Sequence, residues 1–117
     1  MRISEAASRS GLNINTIRYY KAEGLVPNVG RGADGQRQFS HENVVWLTLL
    51  YWLRETGMPM KVMQEFALLY AQGNGTIAAR KNILLAHSER LDKRRDDLDR
   101  CDEILTRKLE IYEEYLS

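Results

Sequence analysis

Apolar residues recur along the chain in five runs separated by glycine, proline and asparagine. Ile3, Ala6 and Ala7 are spaced as on one side of a helix that covers Ile3 to Arg9, and Gly11 ends it. Asn13 is placed to cap a second helix whose apolar side is Ile14, Ile17 and Tyr20, and Gly24 closes that one. Two short helices across a tight glycine-containing turn predict a helix-turn-helix. The stretch "PNVGRGADGQRQF", residues 27 to 39, holds a break rather than a period and reads as a β-like hairpin with its tip near Ala33-Asp34-Gly35. Ser40 caps a third helix running to about Thr56, with Val44, Leu47, Leu50, Tyr51 and Arg54 along one side. Gly57 stops it. A fourth helix starts near Pro59 and carries Met60, Met63, Phe66, Ala67 and Tyr70 on its apolar face. Gly73 and Gly75 form a joint.

Beyond Thr76 the pattern changes. Ile77, Leu84, Leu91, Leu98, Leu105 and Tyr112 recur every seven residues, and neither glycine nor proline follows Gly75. A single helix of about 40 residues would extend about 60 Å. Its apolar seam is narrow and its other faces are charged, so it requires a partner helix. The second column of the seam is poor, holding His87, Arg94 and Cys101, and improves at Leu109 and Leu116 only after a shift of register. The expectation is an imperfect two-stranded coil in a homodimer, with Leu84, Leu91, Leu98 and Leu105 as the dimerisation seam, against the plainer reading that the helix packs back onto its own N-terminal helices. The fold class expected is all-α with a small β wing: a winged helix-turn-helix domain over residues 1–72 and a long C-terminal dimerisation helix over 76–117.

Composition narrows the partners. The 117 residues carry a formal net charge of +1, so a strong overall field is absent and any anion-binding surface must be local. Residues 1–39 hold six basic side chains against three acidic ones, a weak pointer to nucleic acid. The single cysteine, Cys101, excludes an intramolecular disulfide framework and fits a reducing cytoplasm. No signal-peptide core and no long apolar run stand out, so no membrane role is expected.

Chemistry concentrates in "NINTIRYYKAEGLV", residues 13 to 26. Thr16, Arg18 and Tyr19 occupy the side of the second helix away from Ile14, Ile17 and Tyr20. Arg18 can reach a guanine edge or a phosphate, and a bidentate pair to a base discriminates by ~1–3 kcal/mol. The Tyr19 hydroxyl can donate to a phosphate, which sets register without reading sequence. Tyr20 points to the core, while Arg31 and Arg37 in the hairpin are placed to meet phosphates beside the groove that the second helix enters. Against this stand plainer readings: Arg18 as a solvated helix residue, the two tyrosines as a packing pair, and the glycine-rich stretch as an ordinary loop. His41, His87 and Cys101 are widely separated, with no paired ligand spacing, so no metal and no cofactor are expected. No nucleophile–base pair or phosphate loop stands out, which argues against an enzyme.

The stretches "TIRYYKAEGLVP", "GQRQF" and "RETGMPMKVMQEF", in this order, resemble the MerR family of transcription regulators over nearly the entire chain. The resemblance implies a homodimer whose long helices pair antiparallel. It also implies a near-palindromic promoter operator, with the bound dimer distorting the spacer DNA to realign the promoter for RNA polymerase. Carried onto matching positions, the DNA contacts would be Thr16, Arg18 and Tyr19, with Tyr20 supporting and Arg37 in the wing. Where the family commonly has tyrosine, this chain has Phe39, which keeps the ring and loses the hydroxyl. The segment from "HENVVWLTLLYWLRETGMPMKVM" through "GNGTIAARKNILLAHSERL" is similar, more narrowly, to the small aldehyde- or thiol-stress-responsive subgroup. That subgroup carries a reactive cysteine in its third helix, and the aligned position here is Trp52, whose indole offers no thiolate. A small effector would then sit in a pocket near Trp46, Trp52 and Tyr70, against the plainer reading of these aromatics as ordinary core of a small four-helix domain. The contrasting function is a coiled-coil protein-interaction module without sequence-specific DNA binding.

Overall fold

The computed structural model describes residues 1–26, 29–35 and 37–117; part of the 27–39 hairpin reading therefore lies outside the described residues. Helix α1 spans Ile3–Ser10, and Gly11 caps it at φ 85°, with its N–H bonded to the Ala7 carbonyl at 3.1 Å. The Tyr51 ring lies only 3.7 Å from where a Cβ on Gly11 would stand, which is ordinary contact. The left-handed backbone, rather than lack of space, is therefore what calls for glycine here. Helix α2, Ile14–Ala22, starts where the Asn13 side chain accepts the Thr16 N–H at 2.7 Å. It ends at Glu23 and Gly24, and the Leu25 N–H reaches back to the Tyr20 carbonyl at 2.9 Å.

Strands β1, Gly30–Arg31, and β2, Arg37–Gln38, form an antiparallel ribbon in which Gly30 faces Gln38 and Arg31 faces Arg37. Gly35 N–H closes the intervening turn on Gly32 O at 3.0 Å. The ribbon is tied to the start of the chain. Phe39 N–H bonds to the Met1 carbonyl at 2.6 Å, and Arg2 meets Asp34 at 2.6 Å.

Helix α3, His41–Glu55, opens on a full capping box: the Asn43 N–H bonds to Ser40 Oγ at 3.1 Å and the Ser40 N–H to Asn43 Oδ1 at 2.8 Å. Its buried side is Val44, Trp46, Leu47, Leu50 and Leu53. The expected stripe is corrected at its end: Tyr51 is half-buried and Arg54 is exposed, with Nη1 on the Met58 carbonyl at 3.2 Å. Helix α4, Met60–Ala71, follows Pro59, which stands at the N-cap rather than inside the first turn. A single 3-10 turn, Asn74–Thr76, leads into α5, Ile77–Leu116, one unbroken helix of 40 residues.

Backbone contacts divide the chain into two compact units, Met1–Ile83 and Leu84–Ser117, so the division falls inside α5 rather than at the glycine joint. In the first unit α1 packs on α3 and on α2, around Ile17, Leu25, Leu47, Leu50, Met58 and Met63, all at most 1% exposed. In the second unit, Leu98, Leu105 and Leu109 are 69%, 55% and 66% exposed. No helix among the described residues is long and apolar enough to cross a membrane.

Candidate nucleic-acid interface

The capped start of α2 decides which of its side chains face out. Ile17 and Tyr20 are buried; Arg18 and Tyr19 are exposed, and Thr16 is half-buried. The two tyrosine rings lie 6.1 Å apart, tilted at 48°, so the exposed ring leans on the buried one. Burial holds the Tyr20 phenol above its ordinary 10.0, partly opposed by the Arg54 guanidinium and assisted by Glu55 and Tyr19. Tyr20 thus stays neutral and serves α2 from behind, while Arg18 and Tyr19 are the side chains presented to solvent.

The wing adds a feature that depends on strand register. Arg31 and Arg37 are direct partners across the β1–β2 ladder. Opposed residues of an antiparallel pair share one face of the ribbon, and like charges placed so are destabilising. An anion lying on that face removes the penalty. Arg31 additionally donates from Nη1 to the Gly35 carbonyl at 2.8 Å, which pins its guanidinium near the turn.

Between α2, the wing and the start of α1 lies a cavity of about 760 Å³. Ile3, Ile17, Val26, Val29 and Phe39 give it an apolar floor, and Arg2, Arg18, Lys21, Arg31 and Arg37 line its rim. Three of the predicted contacts, Arg18, Arg31 and Arg37, are therefore brought to one groove; Thr16, Tyr19 and Tyr20 do not line it. Arg2 and Lys21 were missed as site residues. A signal for Lys21 was present, since it stands three residues after Arg18 on the same helical side; for Arg2 it was not, because its place depends on the pairing with Asp34. Phe39 is 4% exposed, a floor residue rather than a surface contact.

The aromatic trio foreseen as an effector pocket is divided. Trp46 and Tyr70 lie 4.3 Å apart between centroids, and Phe66 stacks on Trp46 at 5.4 Å and 4°. Trp46 Nε1 donates to the Leu25 carbonyl at 2.8 Å, and the Arg80 guanidinium sits 5.3 Å over the Tyr70 ring. Trp46 and Tyr70 border a cavity of about 420 Å³ with Leu25, Val26 and Ala67. Trp52 does not join them: it is 59% exposed, edge-on to Tyr51 at 5.0 Å. Six residues along a helix turn the side chain about 120° away, which is the physical reason for the separation.

Along α5, Leu84 and Leu91 are half-buried and Leu98 and Leu105 exposed, and Cys101 is an exposed free thiol. His87 is the one buried side chain of the helix among the described residues. Burial, then the charges of Arg90 and Arg94, hold its imidazole below the ordinary 6.5.

Comparison with known proteins places this geometry. The family described as MerR HTH family regulatory protein matches residues 1–68. The HTH-type transcriptional regulator AdhR of Bacillus subtilis (strain 168) is 35% identical over 91 residues, covering 78% of this chain and 65% of that protein. An uncharacterized HTH-type transcriptional regulator of Haemophilus influenzae is 34% identical over 110 residues, covering 94% and 82%. Among solved structures, HiNmlR, described as a MerR family regulator lacking the sensor domain and bound to promoter DNA, superposes with a TM-score of 0.85. It is 34% identical, and the match covers 97% of this chain and 90% of that one.

Proposed function

The chain belongs to the MerR family of helix-turn-helix transcription regulators, and from that premise we propose that it acts in the cytoplasm as a homodimer on a near-palindromic promoter operator, distorting the spacer DNA for RNA polymerase. The observation that carries the reading is the pair Arg31 and Arg37, opposed on one face of the wing beside the exposed Arg18. That arrangement is unfavourable in solvent and favourable against a phosphate backbone. Arg18 reads a base edge from α2, Tyr19 donates to a phosphate, Thr16 lies at the helix start, Tyr20 buttresses, and Arg31 and Arg37 hold the adjoining strand. The homodimer rests on the apolar seam of α5 at Leu84, Leu91, Leu98 and Leu105, which is open in the single chain at its later positions. The promoter-bound state of the HiNmlR structure supports the choice of double-stranded DNA.

The experiment is selection of bound genomic fragments, followed by affinity measurements on the recovered operator and on random DNA across a salt series. Arg18→Ala should cost ~1–3 kcal/mol on operator and narrow the operator/random ratio. Arg37→Ala should weaken both DNAs nearly equally and lower the slope of log affinity against log salt by about one. An unchanged operator/random ratio in Arg18→Ala removes Arg18 from base reading.

Within the family, the similarity to aldehyde- and thiol-stress regulators does not carry a thiol switch. The thiolate is the nucleophile in electrophile sensing, Trp52 stands where the subgroup has cysteine, and Cys101 lies on α5 beside Asp102 and near Asp99. We therefore assign no covalent sensing to this chain. A reporter driven by its own operator, dosed with formaldehyde or methylglyoxal, should respond no differently in wild type and Cys101→Ser. A response lost in Cys101→Ser would place the switch in α5.

A further inference from the structure

We propose that the groove between α2 and the wing also binds small amphipathic anions, carboxylates on an aliphatic or aromatic body, and that such a ligand competes directly with DNA. The proposal rests on the DNA-binding reading above for its competitor, and on the groove alone for its ligand. A surface that meets only phosphates needs cations and hydrogen-bond donors; an apolar floor adds nothing to it. Here the floor keeps apolar surface open: Ile3, Val26 and Val29 are half-buried over a closed base of Ile17 and Phe39. The cavity above them, about 760 Å³, falls in the range of small-molecule sites, roughly 300–1,000 Å³.

Charge selects the other half of the ligand. Among the described residues, Arg18, Lys21 and Arg37 are in no ion pair, while Asp34 is taken by Arg2 at 2.6 Å. Arg31 and Arg37 repel one another across the ladder. A carboxylate head on this rim relieves that repulsion as a phosphodiester does, and an apolar tail then displaces water from the floor, which a phosphodiester does not. Because Arg18 and Arg37 serve both ligands, the two cannot bind together.

The test uses the full-length protein, its selected operator, and the carboxylate series acetate, hexanoate, octanoate and decanoate below micelle-forming concentrations, with inorganic phosphate at matched ionic strength. Calorimetry should give one site per chain for decanoate, with affinity rising about fourfold per added methylene. Filter binding should show decanoate displacing operator with an inhibition constant equal to its own Kd, while acetate and phosphate displace no more than salt does. Val29→Gln should flatten the chain-length dependence, and Lys21→Ala should weaken every member alike, with thermal melts confirming that both variants fold. Affinity independent of chain length, binding without displacement, or displacement equal to that by phosphate each overturn the proposal. The same assay without carboxylate measures operator binding separately, so a protein that fails to bind operator fails the DNA reading rather than this one.

Discussion

Residues 1–83 and residues 84–117 solve the problem of apolar surface in opposite ways. The first region closes a core of apolar positions on one another, with Leu47, Leu50, Met58 and Met63 showing no solvent exposure, and leaves only scattered ones such as Val45, Trp52 and Leu68 open. The second region leaves Leu98, Ile104, Leu105, Leu109 and Tyr115 between 55% and 84% exposed on a helix with no break. A chain does not maintain a regular seven-residue apolar repeat in water without something to cover it. The first region thus covers its core within one copy, whereas the second leaves its seam uncovered in one copy.

The largest effect should come from charging the open seam. Leu91→Asp with Leu98→Asp places carboxylates in the expected dimer interface, where desolvation should weaken association by about a thousandfold or more. Light scattering should report monomer or unfolded chain, with operator binding lost. A well-folded wild-type monomer would instead refute the dimer and erase the contrast between the regions. Next comes the closed core. Leu47→Ala should destabilise by ~2–5 kcal/mol through lost burial and a cavity, read from urea unfolding. Its effect should not depend on protein concentration once dimer dissociation is accounted for, because Leu47 is already covered within one chain.

The smallest effect sharpens the comparison at its one exception. His87 lies in the open region yet is 4% exposed, and its folded pKa is depressed below 6.5. The unfolded chain therefore binds the proton more readily, and stability rises with pH over this interval. As pH falls from the unfolded value toward the lower folded one, that stability should be progressively lost. His87→Gln should flatten the dependence in urea titrations between about pH 5 and pH 7; an unchanged slope would assign it to other groups.

Much of this division was readable beforehand, because the two regions are written in different periods. The heptad from Ile77 to Tyr112 is visible without coordinates, and so are the breaks at Gly11, Gly24, Gly57 and Gly73. Hidden were the features set by pairing between distant segments. The opposition of Arg31 and Arg37 follows from register, which a one-residue slip would abolish. The Arg2–Asp34 contact joins positions 32 apart. Leu53 replaced Arg54 on the buried side of α3 because small differences in helix rotation decide marginal positions. Trp46 and Trp52 looked equivalent as aromatic residues of one helix, and only packing told them apart.

That last difference gives the protein two built-in fluorophores of unlike character. Trp46, held between Phe66, Tyr70 and the Leu25 carbonyl, emits from an ordered interior. Trp52, open to water, emits as a solvated indole and is reachable by dissolved quenchers such as iodide. A Trp52→Phe chain would keep a single emitter bonded to Leu25, in the segment just beyond α2. Its spectrum would follow the contact between α3 and the segment after α2 without any attached dye.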